Sequence, residues 1–126
     1  MLALGQTTPV ELNVTRGDSL NHKITCYDDS GAPAIPVQTV VYPLTGYTAE
    51  GEIKTNESTS APIVVAFSCS IPTPANGILF AALTPAQVYA LTPGTAYWYQ
   101  IRIYTAGHAA VYTVGHGPLI IGKSTF

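Results

Sequence analysis

Charged residues are scarce in this chain of 126 residues: five are Lys or Arg and seven are Asp or Glu, together 10% of the sequence. An ordinary soluble domain has about 25%. The formal net charge of −2 leaves no basic surface to neutralise phosphates, which argues against nucleic-acid binding. No apolar run approaches the about 20 residues that a membrane helix needs. We therefore expect neither nucleic acid nor a membrane as a partner.

Cysteine is also scarce. Cys26 and Cys69 are too few for a disulfide scaffold, and neither belongs to a Cys-x-x-Cys motif. Both fall where strand alternation faces a core, so we expect two buried thiols, with a mutual disulfide as the alternative. Residues 1–6 contain no Lys or Arg and no apolar stretch of signal-peptide length, so we expect synthesis in the cytoplasm.

Proline and glycine, in contrast, recur at short intervals, with 10 Pro and 11 Gly separating segments rich in Thr, Val, Ile and Tyr. This is typical of a single all-β domain with tight turns. No segment of a dozen residues has a sustained apolar period of 3.6. The sequence predicts an Ig-like antiparallel β-sandwich of about seven strands. Strands are predicted over residues 10–16, 19–27, 47–55, 62–71, 77–83, 95–104, 111–114 and 119–121.

One short helix is predicted near residues 85–91. Thr84 suits the N-cap, Pro85 the first helical position and Gln87 the third, and Pro93-Gly94 ends the helix. Three prolines make residues 32–44 irregular or an edge. We expect residues 1–9 to form an N-terminal arm, residues 10–122 the sandwich and residues 123–126 a C-terminal tail, with the arms ordered only by neighbouring subunits.

Several turn and cap motifs follow one another in a characteristic order. Arg16-Gly17-Asp18 follows the first strand, and an Asp-Asp-x-Gly turn at residues 28–31 follows the second. Next come Leu44-Thr45-Gly46-Tyr47-Thr48-Ala49, Asn76-Gly77-Ile78-Leu79-Phe80, Leu83-Thr84-Pro85-Ala86-Gln87, Pro93-Gly94-Thr95-Ala96-Tyr97-Trp98-Tyr99 and a final Gly-x-Leu-Ile-Ile strand. In this order they resemble a small β-sandwich virion protein of tailed bacteriophages, similar to the N-terminal domain of the phage baseplate upper protein. The resemblance covers about residues 10–122.

The resemblance implies a virion structural component that assembles with copies of itself and with other phage structural proteins. We therefore expect a non-enzymatic protein of the tail, the baseplate or the head surface, found in the virion and forming a homo-oligomer there. Two alternatives remain open at this point. One is a capsid decoration (cement) protein, and the other is a carbohydrate-binding β-sandwich module.

A candidate interface lies on the strand predicted at residues 95–104. Its residues Trp98, Gln100, Arg102 and Tyr104 share one face, and Tyr112 could extend that face on the neighbouring hairpin strand. Aromatic residues and Arg are enriched at the energetic centres of protein interfaces. The alternative is that this face packs against the other sheet or lies under residues 32–43.

Catalytic patterns are weak. Glu50 and Glu52 are neighbours on one strand face and could act as an acid and a base, but Lys54 follows on the same face, which favours a solvated polar stripe. No Ser lies in a Gly-x-Ser-x-Gly motif. We expect no enzymatic activity.

Metal-binding and adhesive patterns are equally weak. The three histidines, at positions 22, 108 and 116, lie in separate elements, and the acids at positions 18, 28 and 29 lack the regular spacing of a calcium loop. Arg16-Gly17-Asp18 spells the integrin-recognition tripeptide, but it lies between two predicted strands, where a tight turn is the better interpretation. We expect neither a metal nor a cofactor.

Overall fold

The computed structural model describes residues 9–26, 41–58 and 60–123. The turn predicted at residues 28–31, most of the irregular segment at 32–44, and nearly all of both predicted arms lie outside these ranges. The strands are β1 (Leu12–Thr15), β2 (Leu20–Thr25), β3 (Thr48–Lys54), β4 (Ile63–Thr73), β5 (Ile78–Leu83), β6 (Ala96–Tyr104) and β7 (Val111–Gly122). The other elements are helix α1 (Pro85–Tyr89) and 3-10 turns at Pro74–Asn76 and Ala106–His108.

The all-β prediction is confirmed. Over the described ranges the seven strands form one mixed sheet in the order β1-β7-β6-β3-β4-β5-β2. Every neighbouring pair is antiparallel except β1 and β7, which are parallel. The sheet curls almost into a barrel, so that the β5-β2 end faces β6 across the core. The rings of His22 on β2 and Tyr99 on β6 accordingly meet edge to face, with centroids 6.1 Å apart.

The core lies between the two facing halves of the sheet, and period-2 alternation selects its residues. Along β6, Tyr97, Tyr99, Ile101 and Ile103 are buried, while the residues between them are not. The same alternation buries one side chain in two along β5. The other core residues include Val14, Ile24, Cys26, Leu44, Ile53, Phe67, Val114, Leu119 and Ile121.

The final strand departs from prediction. Sequence patterning suggests two short strands separated by a turn at Gly115-His116-Gly117-Pro118, but β7 runs unbroken from Val111 to Gly122. A β-bulge lies between the partners of Ile101 and Arg102, which are Gly115 and Thr113. The bulge places an extra residue, Val114, in β7. The strand then continues through Gly115, Gly117 and Pro118, where the sequence suggests a turn.

Helix α1 begins as predicted. The side chain of Thr84 accepts a hydrogen bond from the Gln87 main-chain N–H, and the Gln87 side chain accepts one from the Thr84 N–H. This reciprocal capping box satisfies two N–H groups that a helix start would otherwise leave without partners. Val88 is the buried residue of the helix and attaches it to the core.

Candidate interaction face

The predicted interface strand presents its polar and aromatic side chains to solvent. Trp98, Gln100 and Tyr104 are half-buried and Arg102 is exposed, whereas the residues between them point into the core. The other half of the sheet therefore packs on the opposite side of β6. We call the solvent side of strands β7, β6, β3 and β4 the outer face. Alternation along each strand determines which residues lie on this face. On β3 these are Glu50, Glu52 and Lys54, which lie beside Arg102, Gln100 and Trp98 of β6.

Two ion pairs occupy the middle of the outer face. The Arg102 guanidinium contacts the carboxylate of Glu50, its cross-strand partner on β3. The Lys54 ammonium lies 3.2 Å from the Glu52 carboxylate. Because each of these acids has a basic partner, charges of opposite sign alternate across the outer face. The solvated-stripe interpretation of Glu50 and Glu52 agrees with this geometry.

One end of the outer face is apolar and is centred on Trp98. Lys54 lies directly across from it on β3, with only 13% of its side chain exposed. The Trp98 ring lies 6.1 Å from that of His116 on β7, and Pro118 is its cross-strand partner. On the far side of Lys54, Ile63 of β4 is 58% exposed, a large value for an apolar side chain. This end has the composition of an interface centre.

The opposite end of the outer face is a second aromatic site. The rings of Tyr104 and His108 are stacked, with centroids 4.2 Å apart and planes inclined by 8°. His108 has φ +57°, a left-handed conformation that residues other than glycine adopt at some energetic cost. The Thr105 hydroxyl accepts a hydrogen bond from the Ala110 N–H and closes this turn. The exposed side chain of Val111 extends the site onto β7.

Tyr112 does not belong to the outer face. The register of the β6–β7 hairpin pairs Tyr104 with Val111 and Ile103 with Tyr112, so Tyr112 points to the core side. It packs instead near Tyr47, with ring centroids 6.4 Å apart. The expectation that Tyr112 extends the Trp98–Tyr104 patch is therefore wrong, because the length of the hairpin turn reverses its side.

Tyr112 is part of a tyrosine cluster at the end of the sandwich. The hydroxyls of Tyr42 and Tyr47 are hydrogen-bonded at 2.8 Å. This bond, together with desolvation and the neighbouring phenols, raises the pKa of Tyr47 to about 12. Tyr47 is therefore neutral at physiological pH, and the cluster packs against the core.

A shallow depression of about 230 Å³ lies over β3 on the outer face. Its lining includes the side chains of Glu50, Glu52, Gln100 and Arg102, and Ile63 forms an apolar wall. The Gln100 amide donates to the Thr113 hydroxyl at 3.1 Å, which connects it to β7. The lining of the depression is thus part polar and part apolar.

Arg16 of the integrin-like tripeptide is bound to its own chain. Its guanidinium lies 4.1 Å from the centroid of the Tyr89 ring, and its Nε donates to the Tyr89 carbonyl at 2.9 Å. The Asp18 N–H bonds the Thr15 carbonyl at 2.9 Å, and Gly17 has φ +90°. These are the features of a tight turn that fastens the β1–β2 connection to α1.

Cys26 and Cys69 are both free thiols. Cys26 is fully buried and Cys69 partly so. Desolvation raises the pKa of each thiol to about 11, with the Glu50 carboxylate contributing at Cys69. Such thiols are weak nucleophiles at neutral pH. Within the described ranges, no three His, Cys, Asp or Glu side chains gather where they could hold a metal ion.

Sequence reasoning missed three members of the outer face. The sequence predicts Lys54 in the polar stripe but not beside Trp98, Ile63 on the same face of its strand as Cys69, and His116 in a turn. Cross-strand register brings these residues together around Trp98. The sequence alone does not specify the register of the β3–β4 and β6–β7 pairs, and these contacts depend on that register.

No helix in the described part of the chain has the length and apolar character that crossing a bilayer requires. No protein-family model matches the sequence, and a comparison with curated proteins finds no relative. Any assignment of function therefore depends on the outer face and on the ordered turn motifs.

Proposed function

We propose that the chain is a non-enzymatic structural component of a tailed-phage virion that self-associates and docks to other virion proteins. The observation that carries this proposal is the outer face, where an aromatic end around Trp98 and the exposed Ile63 adjoin paired charges. Aromatic and Arg side chains ringed by polar groups are typical of protein interfaces. The phage context is supported by the ordered turn motifs alone.

The dimensions of the outer face suggest what kind of docking it can support. Six residue steps separate Trp98 from Tyr104, about 20 Å along β6, and four strands span about 15–20 Å across the sheet. The area is on the order of 400 Å², about half of what each partner buries in a typical stable interface. A single contact through this face is weak, but repetition in a symmetric assembly would multiply its effect.

Immunogold labelling of intact phage particles tests the proposed location. Gold spread over the head would assign a capsid decoration role, and gold confined to the tail or its tip would assign a tube, collar or baseplate role. Both outcomes support a virion protein. Particles that stay unlabelled, although the antibody binds the purified protein and the epitope is accessible in disrupted particles, would overturn the proposal.

A carbohydrate-binding module is the second candidate, and the depression over β3 favours it. Polar side chains of its lining lie between two aromatic sites, Trp98 and Tyr104. A glycan screen with the intact protein tests this candidate, with Trp98→Ala as the site variant and Tyr89→Ala, an exposed tyrosine of α1, as the control. Binding lost only in Trp98→Ala supports the module, and no binding by the intact protein removes it.

A further inference from the structure

The outer face is self-complementary along the seam between β3 and β6. Each cross-strand pair on this seam joins unlike groups. An acid faces a base, a carboxylate faces an amide, a cation faces an aromatic ring, and a hydroxyl faces a phenol. These pairs are Glu50 with Arg102, Glu52 with Gln100, Lys54 with Trp98, and Thr48 with Tyr104.

The consequence for a second copy is geometric. Consider two copies whose outer faces meet across a two-fold axis that runs parallel to the strands along this seam. The axis lays β3 of one copy over β6 of the other. We call the residues that lie side by side across the strands a row. Each residue then faces, in the other copy, a residue of its own row. Glu50 of each copy then faces Arg102 of the other, and Lys54 faces Trp98. Each group keeps its complement within the chain and gains a second one from the other copy.

Charge distinguishes this arrangement from a two-fold that runs perpendicular to the strands through the centre of the face. An axis perpendicular to the strands that passes over Gly51 would lay β3 on β3 and bring Glu50 of one copy over Glu52 of the other. Like charges facing each other across an interface are strongly unfavourable. With two acids and two bases, the seam has no net charge, so copies joined along it do not repel one another.

The flanking strands agree with the parallel axis. The same rotation lays β4 of one copy over β7 of the other, so the exposed Ile63 meets Pro118 in the row of Trp98. Aligned sheets pack at about −30°, so the match is best at the centre of the face, where the charged rows lie. The axis therefore covers the most exposed apolar side chain of the sheet.

We propose that the outer face is a homodimer interface, in which a second copy of this chain packs on it across a two-fold axis along the β3–β6 seam. This inference rests on the self-association in the proposed function and adds its surface and symmetry. Because the face is small, we expect a weak dimer that forms at high protein concentration.

Charge reversal on the seam tests this inference. Self-association of each variant is measured by sedimentation velocity at protein concentrations up to about 1 mM. The variants Glu50→Arg and Arg102→Glu each place two like charges in one row, so each alone should weaken self-association by at least about 10-fold. An equimolar mixture of the two variants should associate again. Positions 50 and 102 are both positive in one copy and both negative in the other, so the copies attract. The double variant Glu50→Arg/Arg102→Glu should associate like the wild type.

Matched controls separate this effect from net charge and from misfolding. Asp18→Arg and Lys23→Glu make the same changes in net charge at exposed positions in the β1–β2 connection and on β2, outside the outer face, and should leave association unchanged. Circular dichroism of every variant checks that it is folded.

Three results would overturn the inference. Single variants that associate like the wild type, or a mixture that does not recover, would place self-association on another surface and leave the proposed function standing. A wild-type chain that stays monomeric at 1 mM would show that two copies do not pair through this face. The virion role would then be decided by gold labelling alone.

Discussion

The hydroxyl of Tyr99 donates a hydrogen bond of 2.7 Å to the main-chain carbonyl of Val10, a residue 89 positions earlier in the sequence. Tyr99 is fully buried. The N–H of Val10 in turn donates to the carbonyl of His116 at 3.0 Å. Together these bonds hold the segment ahead of β1 against β6 and β7, next to the parallel pair that closes one end of the sheet.

Removing the Tyr99 hydroxyl tests that connection. Tyr99→Phe keeps the ring and its packing but leaves the Val10 carbonyl without this donor, so the free energy of unfolding should fall by about 1 kcal/mol. Urea unfolding measures the change. Tyr104→Phe is the matched control, because its ring lies on the outer face, and its effect should stay within about 0.5 kcal/mol. Equal effects of the two variants would contradict the prediction.

Gly117 lies where Val10 approaches β7 most closely. It has φ +151°, and a Cβ atom there would overlap the carbonyl of Val10. Gly117→Ala should therefore lower the free energy of unfolding by about 3 kcal/mol, because both strain and overlap oppose it. The control is Gly94→Ala, which has φ +77° with open space around its Cβ position and should lose only about 1 kcal/mol. Thermal or urea unfolding ranks the two, and a Gly117 variant as stable as the control would refute the close approach.

The capping box of α1 predicts a smaller effect. Thr84→Ala removes the acceptor for the Gln87 N–H, and the free energy of unfolding should fall by about 1 kcal/mol. Thr84→Ser keeps the hydroxyl oxygen and should be nearly neutral. Chemical denaturation of both variants is the measurement. A serine variant as destabilised as the alanine variant would show that the hydroxyl does not act as a cap.

Local sequence signals were sufficient for most of the fold. Alternation along β6 correctly placed Trp98, Gln100 and Arg102 on one face, and the Thr84 capping signal correctly placed the start of α1. These signals work because each depends on neighbouring residues only: side chains alternate along a strand, and a cap acts within one turn.

Pairing between distant segments was not predictable in the same way. The parallel contact of β1 with β7 joins segments about 100 residues apart, and no local pattern specifies it. The bulge at Val114 turns Gly115 inward and His116 outward, so a region that suggests a turn becomes a continuous strand beside Trp98. Tyr112 was placed on the wrong side because one residue of register reverses the face of a side chain.

The two cysteines give a prediction about reactivity. A pKa of about 11, against an ordinary value of 9.0, lowers the thiolate fraction at pH 8 by about 100-fold. Reaction with a disulfide reagent at pH 8 should therefore be at least about 100-fold slower in the folded chain than in urea. Cys69 should react before Cys26, which is fully buried. The single-thiol variants Cys26→Ala and Cys69→Ala assign each phase, and fewer than two titratable thiols in urea would indicate a disulfide instead.

The same burial links stability to pH. Because folding raises the pKa of both thiols, the folded chain holds their protons where the unfolded chain has lost them. The contribution to stability is complete below pH 9 and should be lost as the pH rises from 9 through 11. Urea unfolding between pH 8 and 11 measures this slope, and Cys26→Ala should make it shallower. An unchanged slope in that variant would show that the Cys26 thiol has the same pKa in both states and is not desolvated by the core.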